Sequence, residues 1–237
     1  KKMRKKILSI ILTTTMVLGL TPCIPCVKQV KAESSWKLVW SDEFDGDSLN
    51  TNVWTRETGG SDGGGWGNNE LQYYTDRTEN SYVSDGTLKI VAKRENYSNC
   101  RFTSACLKTA GKKSFKYGRM EARIKVNGGN QDGVWPAFWM MPCNVDWNKE
   151  GWPKCGEIDI MEEVGVVPNE VSSSLHAEGH NHTNGTQVTH AMTIEKAEGE
   201  FHTYAIEWTA QNITTYVDGK VQLTYDNDNK GVVNWPY

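Results

Sequence analysis

The sequence predicts an all-β fold, a β-sandwich of two antiparallel sheets. Three observations predict it. Short runs of alternating apolar and polar residues recur along the chain with turn residues between them, the pattern of strands that bury one face. No stretch carries a sustained helical period, and Pro is scarce, with 7 in 237 residues. Asp218-Gly219 joins two alternating runs, a strong signal for a two-residue hairpin.

The predicted elements follow in order. W-K-L-V-W at 36–40 alternates and leads into Ser41-Asp42-Glu43-Phe44-Asp45. Residues 87–93 form the next run, with Arg94 just beyond it. Within 117–126, charged and apolar residues alternate without a break from Arg119 to Val126, and that polar row needs no role beyond solvation. Residues 133–142, G-V-W-P-A-F-W-M-M-P, alternate with large aromatics, and further strands are read at 171–176, 201–208, 213–217 and 221–225. No internal repeat, low-complexity linker or second domain appears. Residues 33–237 are therefore read as one domain, long enough to bury a sizeable core.

The chain opens Lys1-Lys2-Met3-Arg4-Lys5-Lys6, continues with an apolar run over 7–20, and reaches Val30-Lys31-Ala32. A basic segment, an apolar segment and a small-residue site describe a secretion signal, and the run is short for a membrane span. The expected cut follows Ala32 and the expected start is Met3, giving a secreted monomer free of the membrane. A retained anchor is the alternative, but no stop-transfer pattern follows. A net charge of −3 provides no basic field, which excludes nucleic acid as the expected partner. Cys23 and Cys26 fall in the leader, so their C-x-x-C spacing has no zinc or redox meaning. Cys100, Cys106, Cys143 and Cys155 allow two disulfides in any of three connectivities, the local pairing of 100 with 106 and 143 with 155 being simplest, or four free thiols.

The chemistry concentrates in Gly156-Glu157-Ile158-Asp159-Ile160-Met161-Glu162-Glu163. Side chains alternate along a strand, so Glu157 and Asp159 share one face while Ile158 and Ile160 point to the other. Glu162 joins the acids only if a β-bulge near Ile160-Met161 absorbs one residue. Glu163 then falls on the opposite face and is expected to be the more tolerant position, ion-paired at the strand end. Close carboxyls cannot all ionise cheaply, so one is expected to rise in pKa and another to stay low, separating acid from nucleophile. The alternative is a solvated acidic face. Against it stands the Trp-rich run before the row, since aromatic walls beside paired acids suit a sugar cleft. Ten Trp and nine Tyr against five Phe fit that view, although both also fill β-sandwich cores.

The row resembles the signature E-x-D-x-(x)-E of the family 16 glycoside hydrolases, in its longer, bulged form, as in the laminarinase-type branch. Residues 65–74, G-W-G-N-N-E-L-Q-Y-Y, and the opening W-S-D-E-F at 40–44 resemble further family segments. The resemblance implies a concanavalin-like jelly roll and an endo-acting β-glucanase that cleaves β-1,3 or mixed β-1,3-1,4 glucans with retention. It implies Glu157 as nucleophile, Glu162 as acid/base, and Asp159 as the residue that holds the nucleophile's charge and orientation. Trp66, Asn69 and Glu70 become glycone-side contacts, although Glu70 can equally tie down its Gly-rich loop. Trp135 is expected to stack on sugar near the scissile bond. Trp139 serves as cleft floor or as core packing. Arg94 either reaches the cleft or stays on the surface, and His176 either bonds Asp159 or the acid/base or is structural. His180 and His182 form an H-x-H pair that lacks a third metal ligand nearby. No cofactor is implied; a structural calcium occurs in relatives and is a possibility here, but not the favoured one, since acidic residues of the absent C-terminal end can take part in holding it. Relatives continue past W-P-Y at 235–237, so about thirty residues are expected to be missing here, a few strands with their turns. The rival readings are an agarose or carrageenan hydrolase and a non-catalytic carbohydrate-binding protein. Charged polysaccharides call for a basic cleft, and only Lys149 and Lys154 stand near the acid row in sequence.

Overall fold

The alternating runs fold as strands because each finds a neighbour to pair with and a core to face. The computed structural model describes residues 36–60, 68–128 and 131–237; the leader of residues 1–32 and Trp66 lie outside them. The first half of the chain forms β1 (Thr55–Arg56), β2 (Gly59–Gly60), β3 (Gln72–Tyr74), β4 (Ser81–Ser84), β5 (Thr87–Ile90), β6 (Lys93–Tyr97), β7 (Cys100–Ser104) and β8 (Leu107–Lys108). The second half forms β9 (Gly118–Lys125), β10 (Ala137–Met140), β11 (Glu157–Glu163), β12 (Glu170–His176), β13 (Val188–Thr193), β14 (Phe201–Trp208), β15 (Asn212–Val217) and β16 (Lys220–Asp226). A single 3₁₀ turn, His182–Asn184, is the only helical element among the described residues.

Two four-stranded antiparallel sheets, ordered β10-β11-β12-β13 and β16-β15-β14-β9, make the sandwich. Ile158, Ile160, Val171 and Leu175 from the first meet Tyr204, Ile206, Ile213 and Val217 from the second in the core. Burying each such side chain contributes about 1.5–3 kcal/mol, which makes this face of β11 the anchor for the acids on its other face. A third sheet, β2-β3-β7-β6, contains the parallel pair β3–β7. It departs from the purely antiparallel expectation because the β4–β5 hairpin intervenes before the chain returns beside β3. The β15–β16 hairpin turns through Asp218 and Gly219, both at positive φ (48° and 76°), the backbone that an Asp-Gly two-residue turn favours.

Several expectations are corrected. Residues 36–40 form no strand; Leu38 and Val39 stay 76% and 77% exposed, so the run alternates without burying a face. Residues 87–93 are not one strand: β5 pairs with β4, the chain bends at 91–92, and β6 starts at Lys93 to pair with β7. Of the readings left open for Cys100, Cys106, Cys143 and Cys155, the one found is four free thiols. Cys100 and Cys155 are buried and pack as small apolar groups.

Candidate active site

The site is built on β11 at the centre of one sandwich sheet. Glu157 lies opposite His176 and Asp159 opposite Ser174 on β12; the register then shifts, so that Glu162 lies opposite Ser172. Against β10, Trp139 faces Asp159 and Ala137 faces Glu162. The extra residue is the bulge that the spacing predicts, and it returns Glu162 to the face of the other two acids. Ile160 and Met161 at the bulge are 0% and 1% exposed, so core burial fixes the phase of the whole strand. The Asp159 carbonyl accepts the hydroxyl of buried Ser173 at 2.7 Å, which satisfies a backbone oxygen where the ladder is irregular.

Gly156 starts the strand at φ 79°, and a Cβ there would lie 2.7 Å from Pro236 Cγ. Only glycine combines that backbone with so close an approach. The W-P-Y segment thus packs behind the acids, and Tyr237 Oη donates to the His176 carbonyl at 2.8 Å.

Each glutamate is held by an indole. Trp135 Nε1 donates to Glu162 Oε1 at 2.9 Å, and Trp152 Nε1 donates to Glu157 Oε2 at 2.5 Å. Trp135 precedes β10 instead of sharing a continuous strand with Trp139. It still flanks the row because Glu163 N–H donates to the Pro136 carbonyl and Gly165 N–H to that of Val134, extending the pairing. Trp139 is 44% exposed opposite Asp159, which makes it cleft surface and not core. Buried His176 sets its Nε2 3.2 Å from Asp159 Oδ2. Trp152 escaped the sequence reading because it lies in a loop where strand parity says nothing; its one signal is an indole five residues ahead of Glu157.

The other predicted residues do not converge as closely. Glu70 accepts hydrogen bonds from Gln72 Nε2 and, at 3.1 Å, from Tyr74 Oη, contacts that tie it to β3. Asn69 is exposed at φ 57°. Arg94 is exposed on β6, opposite Phe102 in the third sheet. His180 and His182 diverge: His180 is buried against the Asn234 carbonyl and Tyr225 Oη, while His182 packs at a tilt against the Trp152 ring. Among the described residues, no three His, Cys, Asp or Glu side chains are grouped to hold a metal ion.

Burial dominates the electrostatics. It raises Glu157 from the ordinary 4.5 to about 8, with the Asp159 charge adding to the rise while His176 and the Trp152 N–H oppose it. Burial and then the Glu162 charge lift Asp159 well above the carboxylate range. Glu162 is also raised by burial, against the pull of Trp135, His176 and Ser174. Burial lowers His176, while Glu157 and Glu162 raise it. The expectation that one acid stays low is thus corrected: all three rise, because each is desolvated and, among the described residues, the cationic group beside them is a histidine whose own charge is disfavoured. Burial therefore favours the protonated forms across the cluster, the condition for handing a proton over.

Glu163 also departs from expectation. It faces the core, 1% exposed, with both carboxyl oxygens lacking a hydrogen-bond partner. No ion pair forms. Burial and the Glu198 charge raise it to about 7.

A search against known proteins places the chain among carbohydrate-active relatives. The family described as "Glycosyl hydrolases family 16" matches residues 67–237. A "Beta-glucanase" of Rhodothermus marinus is 44% identical over 195 residues, which are 81% of this chain and 66% of that protein's length. Among solved structures, the laminarinase from Rhodothermus marinus aligns with a TM-score of 0.79 at 42% identity, over 85% of this chain and 81% of that one. A mutant of SCLam, a non-specific endo-β-1,3(4)-glucanase, aligns with a TM-score of 0.78 at 36% identity, over 86% of this chain and 81% of that one; its crystal presents 1,3-β-D-cellobiosyl-glucose at the active site.

Proposed function

The chain belongs to glycosyl hydrolase family 16, and from that premise we propose that it is a secreted, monomeric, laminarinase-like endo-β-glucanase, hydrolysing β-1,3 or mixed β-1,3-1,4 glucans with retention. The observation that carries the reading is the placing of Glu157, Asp159 and Glu162 on one face by a bulge, with an indole N–H on each glutamate.

In a double displacement, Glu157 attacks the anomeric carbon while Glu162 gives its proton to the departing glycosidic oxygen. Glu162 then takes a proton from water, whose oxygen attacks the same carbon and releases Glu157. Burial raises Glu162 and so favours the protonated form that the first step needs. Glu157 must be ionised to attack, which the Trp152 N–H and His176 favour against its own burial. An oxocarbenium-like transition state between the two glutamates is a positive charge in a desolvated, anionic setting, where such charge is best stabilised. Asp159 sits between them as hydrogen-bonding support for Glu157. The exposed faces of Trp135 and Trp139 offer stacking surfaces for glucosyl rings.

A neutral substrate is supported by the fate of the two nearby lysines: Lys149 pairs with Asp146 and Lys154 with Glu178, which leaves no free cationic pair for sulfate or carboxylate groups. No cofactor enters the chemistry. Reducing-sugar release from laminarin, lichenan and agarose tests the proposal. Laminarin and lichenan are expected to be cleaved and agarose not. A folded protein that binds laminarin but releases no sugar would overturn the reading in favour of a binding protein.

A further inference from the structure

Behind Glu157 stands a wall of three rings, of which the reaction scheme leaves His182 without a task. The Trp152 indole, half-buried, lies 4.9 Å from the His182 ring at an interplanar angle of 35° and 5.9 Å from that of His176. The two histidines meet edge to face at 5.3 Å and 89°. His182 is fixed by a tightly bonded turn. Buried Asn181 donates to the Ala177 carbonyl and accepts from Thr183 Oγ1 at 2.6 Å, and Gly185 closes the turn at φ 70°. The loop after β12 therefore carries a ring back against the loop before β11, and the second loop delivers an indole N–H to Glu157.

We infer that Trp152 is a positioning residue for Glu157 and that the ring of His182, packed at a tilt against it, fixes the indole where its N–H meets the carboxylate. The inference rests on the assignment of Glu157 as nucleophile and adds to it the device that keeps this buried acid ionisable and aimed. A donor held rigidly toward a carboxylate favours its charged form and restricts its rotamers, and ring packing holds the donor without adding a charge of its own. The titratable groups that face Glu157 are Asp159 and Glu162 on its own strand, His176 on β12, Cys155 beside it and Tyr237 behind it. None of these is an exchangeable substitute for the indole: Asp159 and Glu162 oppose ionisation, Cys155 and Tyr237 are weak acids that burial and the Glu157 charge push further up, and His176 is engaged with Asp159.

The test compares Trp152→Phe, His182→Ala and His182→Phe in the full chain, with kcat and KM on laminarin measured as a function of pH. Trp152→Phe keeps the ring and removes the N–H. It should lower kcat about ten- to hundredfold, the effect of losing one hydrogen bond to a charged group. It should also move the acid limb of the profile up by about one pH unit with KM little changed. His182→Ala should shift the limb in the same direction, and His182→Phe, which keeps a packed ring, should do so much less. An unmoved acid limb in Trp152→Phe, or equal damage from His182→Phe and His182→Ala, would overturn the inference. A 13C titration of the Glu157 carboxyl in the same variants reads that shift without substrate. If no glucan is cleaved, the hydrolase reading fails separately, and an unshifted titration still sinks this one.

Discussion

Glu157 and Glu162 share a strand and a chemistry, yet each is satisfied by a different indole, from residues on opposite sides of β10. Their roles predict separable losses. Glu162→Gln keeps the Trp135 hydrogen bond but cannot deliver a proton, so kcat on laminarin should fall about 10²–10⁴-fold, the typical worth of a positioned general acid, with the circular dichroism spectrum unchanged. Glu157→Gln should abolish turnover and also change stability. Glu157 is raised from 4.5 to about 8 in the fold, so between those values the folded chain binds more protons than the unfolded one and stability falls as pH rises. The amide removes that loss. Its melting temperature should exceed the parent's at pH 8 and match it near pH 4; equal values at both pH values would show that Glu157 is not held protonated by the fold.

At the scale of the element, the bulge on β11 is what converts a strand into a site. Met161 is 1% exposed and is part of the two-for-one stretch that lets Glu162 return to the cleft face. Substituting it and deleting it should therefore have different consequences. Met161→Ala leaves the register intact and opens a cavity, costing about 2–5 kcal/mol, with kcat retained in the protein that remains folded. Deleting Met161 keeps three acids on one face by strict alternation and leaves Glu162 opposite Ala137 and Ser172, but it removes the local kink and twist with which the bulge aims the Glu162 side chain. The deletion should depress kcat well beyond the substitution, and a deletion variant with parental kcat would show that the bulge does not aim Glu162. The presence of the bulge was legible in the spacing of the acids. Its support was not: the Ser173 hydroxyl on the Asp159 carbonyl depends on which strand pairs beside β11.

Across the whole molecule, the two sheets enclose one carboxyl that no catalytic argument explains. Glu163 projects from β11 into the sandwich, and its charge acts on the buried Tyr204 hydroxyl of β14, as does that of Glu198. With a pKa raised from 4.5 to about 7, it makes the fold most stable below the lower value and less so as pH rises to the upper, by roughly 3 kcal/mol. Glu163→Gln should flatten that part of the stability–pH curve measured by urea unfolding, raising stability at pH 8 while leaving activity at its pH optimum close to the parent's. A steeper curve in the variant would mean that ionised Glu163 is stabilised by the fold. Glu157, Asp159 and Glu162 are displaced in the same direction, so some downward slope toward alkaline pH should persist.

The sequence by itself determined the features with short period. The alternation of β9, β12, β14, β15 and β16, the Asp-Gly hairpin and the acid row with its bulge are all properties of a few adjacent residues, and side-chain parity along a strand is a local geometric fact. The tertiary structure decided what depends on distant partners. It left residues 36–40 unpaired despite their pattern, separated β5 from β6 by giving each a different neighbour, and put Arg94 in a sheet of its own grouping. It also brought Trp152 and His182 together behind Glu157 from two loops, and buried Glu163 between sheets where sequence offered an ion pair. Loop side chains have no fixed phase, and burial belongs to the packed sheets, so which rings meet and which carboxyls lose water is settled only when the two faces of the sandwich close.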